Sequence, residues 1–412
     1  MTFRQPISRR AFLRRSGLVA LGGVLAACTG PTASPSQQPS ASATASPPTP
    51  TPHEPTASPE PLPDLRARIA QMLLVGFRGL TADEAPKTLR AVGALGLGGV
   101  LLFDRDLPSG SNVRNIASAE QVRALVADLQ AAAVAGPATV PLLVALDQEG
   151  GLVERLTAAR GFVESPSAAE LGAADDADAT RQATRALAAQ LATVGVNLDL
   201  APVVDLNVNP ENPIIGALDR SFGADPSLIV RQATAFIEGL HDERILSAIK
   251  HFPGHGSSTG DTHLGVVDVT ETWREVELEP FRDLVAAGLP DAVLTAHVFN
   301  ASLDPDYPAT LSRATIDGLL RGRLGWDGVV ISDDLQMGAI RDEFGYEEAM
   351  RLAIEAGVDV LTIANQQVYE EGIVERTIDL VEGFVADGRM DEGRISASWR
   401  RIARLKASLA PA

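Results

Sequence analysis

Residues 245–252 read ILSAIKHF. Apolar residues run through the stretch with a single serine and no polar alternation, and a lysine and a histidine arrive together near its end. A half-exposed strand alternates polar and apolar residues; one covered on both faces does not, and that condition belongs to parallel sheets flanked by helices. The pattern recurs as GLGGVLLF in the region 95–103, VPLLVALD (140–147), VNLDLAPVVDL (196–206), AVLTAHVF (292–299), GVVISDD (328–334) and VDVLTIA (358–364). Amphipathic stretches such as SAEQVRALVADLQAAA and ATRQATRALAAQLATVG separate them, as a repeating βα unit requires. Seven such strands and one unrecognised, over about 350 residues, predict an α/β fold: a (β/α)8 TIM-type barrel forming a single catalytic domain over 64–412.

The polar residues of these stretches share a position. Asp147, Asp205, the pair Lys250 and His251, His297 and Asp333 each stand towards the C-terminal end of an otherwise apolar strand. In a closed parallel barrel those ends converge on one face, whereas an open sheet strings them along an edge. One such residue is as readily a cap or a structural hydrogen bond. Together they predict a site.

The chain has 412 residues, 45% of them hydrophobic, enough for a sizeable core. Its N-terminus reads SRRAFLRRSGLVALGGVLAAC, with twin arginines Arg9 and Arg10 ahead of an apolar run from Gly17 to Ala27. That run rises only about 16 Å as a helix, roughly half a bilayer's hydrocarbon core, so residues 1–27 read as a signal peptide and not a span. The arginines resemble a Tat-type export signal. Leu25 to Cys28 resembles a lipobox, which implies cleavage before Cys28, the chain's only cysteine, and lipid attachment to it. Residues 28–63, rich in Pro, Ser, Thr and Ala, predict a disordered tether with a reach of up to roughly 100 Å.

Charge narrows the partners. The chain carries 35 basic and 53 acidic residues, and the five arginines of residues 1–27 leave with the signal, so the mature net charge is near −23. Such a surface is repelled by nucleic acid and by anionic head groups. Nucleic acid is therefore excluded as a partner, and the expected location is the outer face of the cytoplasmic membrane, held there by the lipid alone and facing the cell wall.

The stretch KHFPGHGSSTGDTH (250–263) holds three of the six histidines. A zinc site from His251, His255 and His263 has spacings of four and eight on a Gly- and Ser-rich loop, which match no usual ligand pattern. No GxxxxGK-S/T or GxGxxG supports nucleotide binding, and no GxSxG supports an α/β-hydrolase. What remains is a constellation of carboxylates and imidazoles suited to proton handling.

DQEGGLVERL (147–156), DLNVNPENPIIG (205–216), RSFGADP (220–226), KHFPGHG followed by DTH (250–263), LTAHV (294–298) and GVVISDDLQM (328–337) occur in this order. Together they resemble bacterial β-N-acetylglucosaminidases of glycoside hydrolase family 3 over nearly the whole folded part. The resemblance implies a single barrel that releases terminal non-reducing N-acetylglucosamine with retention, without cofactor or metal. It implies Asp333 as nucleophile, directly after Ser332, with Asp334 as its competitor. It also implies His263 as general acid and base with Asp261 as partner, on a loop where Gly254, Gly256 and Gly260 give His263 freedom to swing. Asp147, Arg155, Arg220, Lys250 and His251 match positions that hold the terminal sugar, and His255 is left as a structural residue. A GlcNAc-containing oligosaccharide or muropeptide is the implied substrate, and peptidoglycan turnover the implied setting.

Three rivals stand beside this reading. An N-acetylglucosaminide phosphorylase of the same family uses phosphate where the hydrolase uses water, and a histidine repels phosphate less than a glutamate does. A β-glucosidase of the family takes its acid from a C-terminal domain, against which the Asp261–Thr262–His263 dyad speaks. A lipid-anchored sugar-binding protein needs two lobes and no nucleophile.

Overall fold

The computed structural model describes residues 62–138 and 140–409. The expected signal peptide, Cys28 and the tether up to residue 61 lie outside the described residues.

Ten strands follow in chain order: β1 Leu73–Gly76, β2 Gly99–Leu101, β3 Leu143–Leu146, β4 Leu198–Asp199, β5 Leu246–Phe252, β6 Val267–Asp268, β7 Ala292–Thr295, β8 Val298–Phe299, β9 Val329–Ile331 and β10 Leu361–Ile363. Eight form one sheet in the order β10, β1, β2, β3, β4, β5, β7, β9, with parallel pairing throughout. A parallel bridge between Ile331 and Val360 brings β9 against the start of β10, and the Ser332 N–H donates to Val360 O at 2.9 Å. The ring thus closes into the (β/α)8 barrel. β6 and β8 make a separate two-stranded parallel ribbon.

The helices start where their caps dictate. Ser118 Oγ accepts from Gln121 N at the head of Ala119–Ala135, and Asp176 accepts from Ala179 N at the head of Ala177–Thr193. Asp225 caps Pro226–Asp242, whose proline takes the first turn, where a missing N–H costs nothing. Each helix turns an apolar stripe inward: Leu187, Ala188 and Leu191 in one, Ile229, Ala233, Phe236, Ile237 and Leu240 in the next, all buried.

Three elements differ from expectation. β1 is the unrecognised strand; its four residues begin just after Met72, the residue that caps the helix Leu65–Gln71. The stretch 196–206 pairs as a strand only over Leu198–Asp199 and once more at Val203, opposite Lys250, because Pro202 between them has no N–H to donate. The stretch 292–299 divides into β7 and β8.

At the barrel's N-terminal end the last helix, Glu392–Ala407, buries Lys406, whose Nζ donates to Gln71 Oε1 and Gly98 O, both at 2.7 Å. Burial without a carboxylate partner pushes its pKa down to about 7.

Candidate active site

β3 and β5 deliver the first charges. β3 ends at Leu146 and the next residue, Asp147, turns into a cavity at the C-terminal end of the barrel. β5 carries Lys250 and His251 in succession, which a regular strand sends to opposite faces. An irregularity in register between Ile249 and Phe252 accompanies the arrival of both side chains at the same cavity.

Lys250 Nζ lies 2.7 Å from Asp147 Oδ1 and 2.7 Å from Glu149 Oε1. Arg220 grips Glu149 with a two-pronged contact, Nε to Oε2 and Nη2 to Oε1, each 2.7 Å. Arg155 Nη2 donates to Asp147 Oδ2 at 3.2 Å. Two carboxylates and three cations thus form one network on one wall, with Lys250 and Glu149 almost wholly buried. Burial acts against the charges of Asp147 and Lys250, yet Lys250 and Arg155 hold the Asp147 carboxyl well below its ordinary range, and Asp147 and Glu149 raise Lys250. All stay ionised and present directed donors and acceptors to a neutral ligand.

Glu149 is the residue that sequence reasoning missed. It stands three places beyond the end of β3, in a Gly-rich loop, where position does not mark it. The available signal was a charge count: Arg155, Arg220 and Lys250 are too many cations for Asp147 alone.

Behind this wall, Asp205 organises the next layer. Its carboxylate lies 2.7 Å from His251 Nδ1 and accepts from His255 N at 2.7 Å. His251 therefore carries its proton on Nδ1, and Nε2, 3.3 Å from Arg220 Nη2, is the acceptor. Burial raises the Asp205 carboxyl, but His251 outweighs it and the net displacement is downward. His297 is also a support: Nε2 donates to Asp334 O at 2.9 Å and Nδ1 lies 2.9 Å from Thr310 Oγ1. Of the strand-end residues, Asp205 and His297 hold the site, and Asp147, Lys250, His251 and Asp333 line it.

Asp333 follows β9 at the cavity floor. Burial pushes its carboxyl up; His297, His251 and His263 outweigh that and leave it lowered, so the group is ionised. Asp334 differs. Its Oδ1 accepts from Gln336 N at 3.1 Å and Ala364 N at 2.9 Å, and burial dominates, raising the carboxyl to about 6.

At the mouth, His263 Nδ1 donates to Asp261 Oδ1 at 2.7 Å, and the same oxygen accepts His263 N at 2.8 Å. The imidazole is about half exposed (52%) and lines the same cavity as Asp333. With Nδ1 engaged, Nε2 is left for an incoming group. The loop's root is tightly packed: a Cβ on Gly256 would lie 1.7 Å from Leu206 O, so that glycine answers a close backbone approach and not a need for swing. His255 also lines the cavity; burial and the neighbouring His251 press its pKa to about 4, so the ring is neutral, and its Nδ1 has no partner among the described residues. Among the described residues no three His, Cys, Asp or Glu side chains form a group able to hold a metal ion.

The structure therefore brings Asp147, Arg155, Arg220, Lys250, His251, His263 and Asp333 to one cavity, with Asp261 bonded to His263 beside it. The profile of the Glycosyl hydrolase family 3 N terminal domain matches residues 64–405. The Beta-hexosaminidase of Tolumonas auensis is 38% identical over 314 residues, covering 74% of this chain and 87% of its own. Beta-hexosaminidase LpqI of Mycobacterium tuberculosis is 34% identical over 362 residues, 85% of each chain. A glycoside hydrolase family 3 beta-N-acetylglucosaminidase from Paenibacillus superposes with a TM-score of 0.76 at 36% identity over 85% of this chain, which spans 64% of that longer protein.

Proposed function

The chain belongs to glycosyl hydrolase family 3, as an enzyme of the β-hexosaminidase kind, and we propose that it removes terminal non-reducing N-acetylglucosamine with retention, through a covalent sugar on Asp333. The observation that carries the proposal is the pairing, in one cavity, of an ionised Asp333 with an Asp261-bound imidazole at the mouth. In the first step Asp333 attacks the anomeric carbon and the glycosidic C–O bond breaks as His263 Nε2 gives its proton to the departing oxygen. In the second, neutral His263 takes a proton from water, the water oxygen attacks the same carbon, and the sugar–Asp333 bond breaks. Both displacements invert, so the net result is retention, with His263 reprotonated. A histidine, whose ordinary pKa is near 6.5, suits both roles around neutrality, and Asp261 fixes the ring's tautomer and stabilises its cation. The network of Asp147, Glu149, Arg155, Arg220, Lys250 and His251 orients the sugar hydroxyls and acetamido group.

Cell-wall fragments as substrate, export by a Tat-type signal and a lipid on Cys28 belong to the same proposal. They are supported by the N-terminal sequence and by a surface too acidic to hold anionic lipid otherwise.

Removing the acid discriminates this mechanism. His263→Ala should lower kcat/KM by roughly 10²- to 10⁴-fold on phenyl N-acetyl-β-glucosaminide, and far less on the 2,4-dinitrophenyl glycoside, whose oxygen departs without a proton. Asp261→Asn should show the same pattern more weakly. Equal losses on both substrates, or activity lost to a chelator and restored by zinc, would sink the dyad.

A further inference from the structure

The loop that carries Asp261 and His263 is also held from outside. Beyond Asp333 the chain passes Leu335 and Met337 and enters the helix Gly338–Phe344, whose first two N–H groups meet the loop. Gly338 N donates to His263 O at 3.2 Å and Ala339 N to Thr262 O at 3.2 Å. First-turn N–H groups have no acceptor within their own helix. Here the carbonyls of the acid/base loop satisfy them. The approach is tight: a Cβ on Gly338 would lie 2.8 Å from His263 O, 3.0 Å from Leu264 C and 3.2 Å from Gly265 N, all backbone atoms of that loop. Gly338 is not among the positive-φ glycines, so contact, and not conformation, excludes a side chain.

We infer that Gly338 is a positioning residue for catalysis: it latches the acid/base loop to the segment that carries the nucleophile and so sets His263 relative to Asp333. The inference rests on the reading of His263 and Asp261 as the acid/base pair. The atoms facing Gly338 are backbone, which cannot rotate aside as a side chain does. A methyl group there makes the loop retreat, and proton transfer to the leaving oxygen suffers before anything else does.

The test is Gly338→Ala, measured as kcat/KM on phenyl and 2,4-dinitrophenyl N-acetyl-β-glucosaminides, alone and combined with His263→Ala. The latch predicts a loss of about tenfold or more on the phenyl glycoside and less than about twofold on the dinitrophenyl one. In the His263→Ala background the substitution should cost nothing further, because it acts only through the imidazole. Equal loss on both substrates, which a variant that fails to fold also gives, overturns the inference. So does an added loss in the double variant, or no loss at all. If His263→Ala itself shows no dependence on the leaving group, the acid/base reading fails instead, and the two failures are told apart.

Discussion

Asp333 and Asp334 are adjacent in sequence and opposite in titration. Imidazoles surround Asp333 and keep it ionised; Asp334, buried and accepting from the backbone N–H groups of Gln336 and Ala364, is raised to about 6. An unfolded aspartate titrates near 3.9, so between about pH 4 and 6 the folded chain binds more protons than the unfolded one, and Asp334 costs stability as pH rises through that window. Asp334→Asn keeps the acceptor and loses the titration. Its stability relative to the parent should climb by up to about 3 kcal/mol from pH 4 to 6.5 and then level off, read from urea midpoints; a difference that stays flat with pH would contradict this. The residues standing at strand ends were legible from sequence because position alone marks them. Glu149 was not, since its meaning comes from Arg220 and Lys250, which are 71 and 101 residues away in sequence. Nor was the division of labour among strand-end residues: Asp205 and His297 share the pattern of Asp147, and only their bonds to His251 Nδ1 and Asp334 O show them as supports.

At the scale of elements, apolar runs predicted strands well where both faces are covered and nothing interrupts the ladder. β3, β7, β9 and β10 each fall inside an expected stretch. The misses have local causes. Pro202 interrupts the ladder after β4, and β1, four residues long and one residue beyond the helix Leu65–Gln71, is too short an apolar run for helical and strand periods to be separated. The loop 254–263 was read for its glycines as freedom of motion. Its packing on Leu206 through Gly256, and its two bonds from the helix Gly338–Phe344, describe a held element whose constraint comes from a distant part of the chain.

At the scale of the whole molecule, eight parallel strands gather residues from 147 to 333 at one end of the barrel, and the proposed attachment to the membrane rests on a lipid at Cys28 alone. Cys28→Ala should therefore leave the glycosidase active and move it from the membrane fraction to the soluble one; a protein that still sediments after a salt wash would refute the anchor. The account as a whole depends on the barrel placing one ionised carboxylate where the anomeric carbon arrives. A 5-fluoro N-acetylglucosaminyl fluoride forms the glycosyl-enzyme but slows its breakdown, so peptide mass analysis after brief incubation reads the nucleophile directly. The account predicts one added sugar on the peptide's Asp333, absent in Asp333→Asn. A sugar on Asp334, or no adduct together with an inverted product, would contradict it.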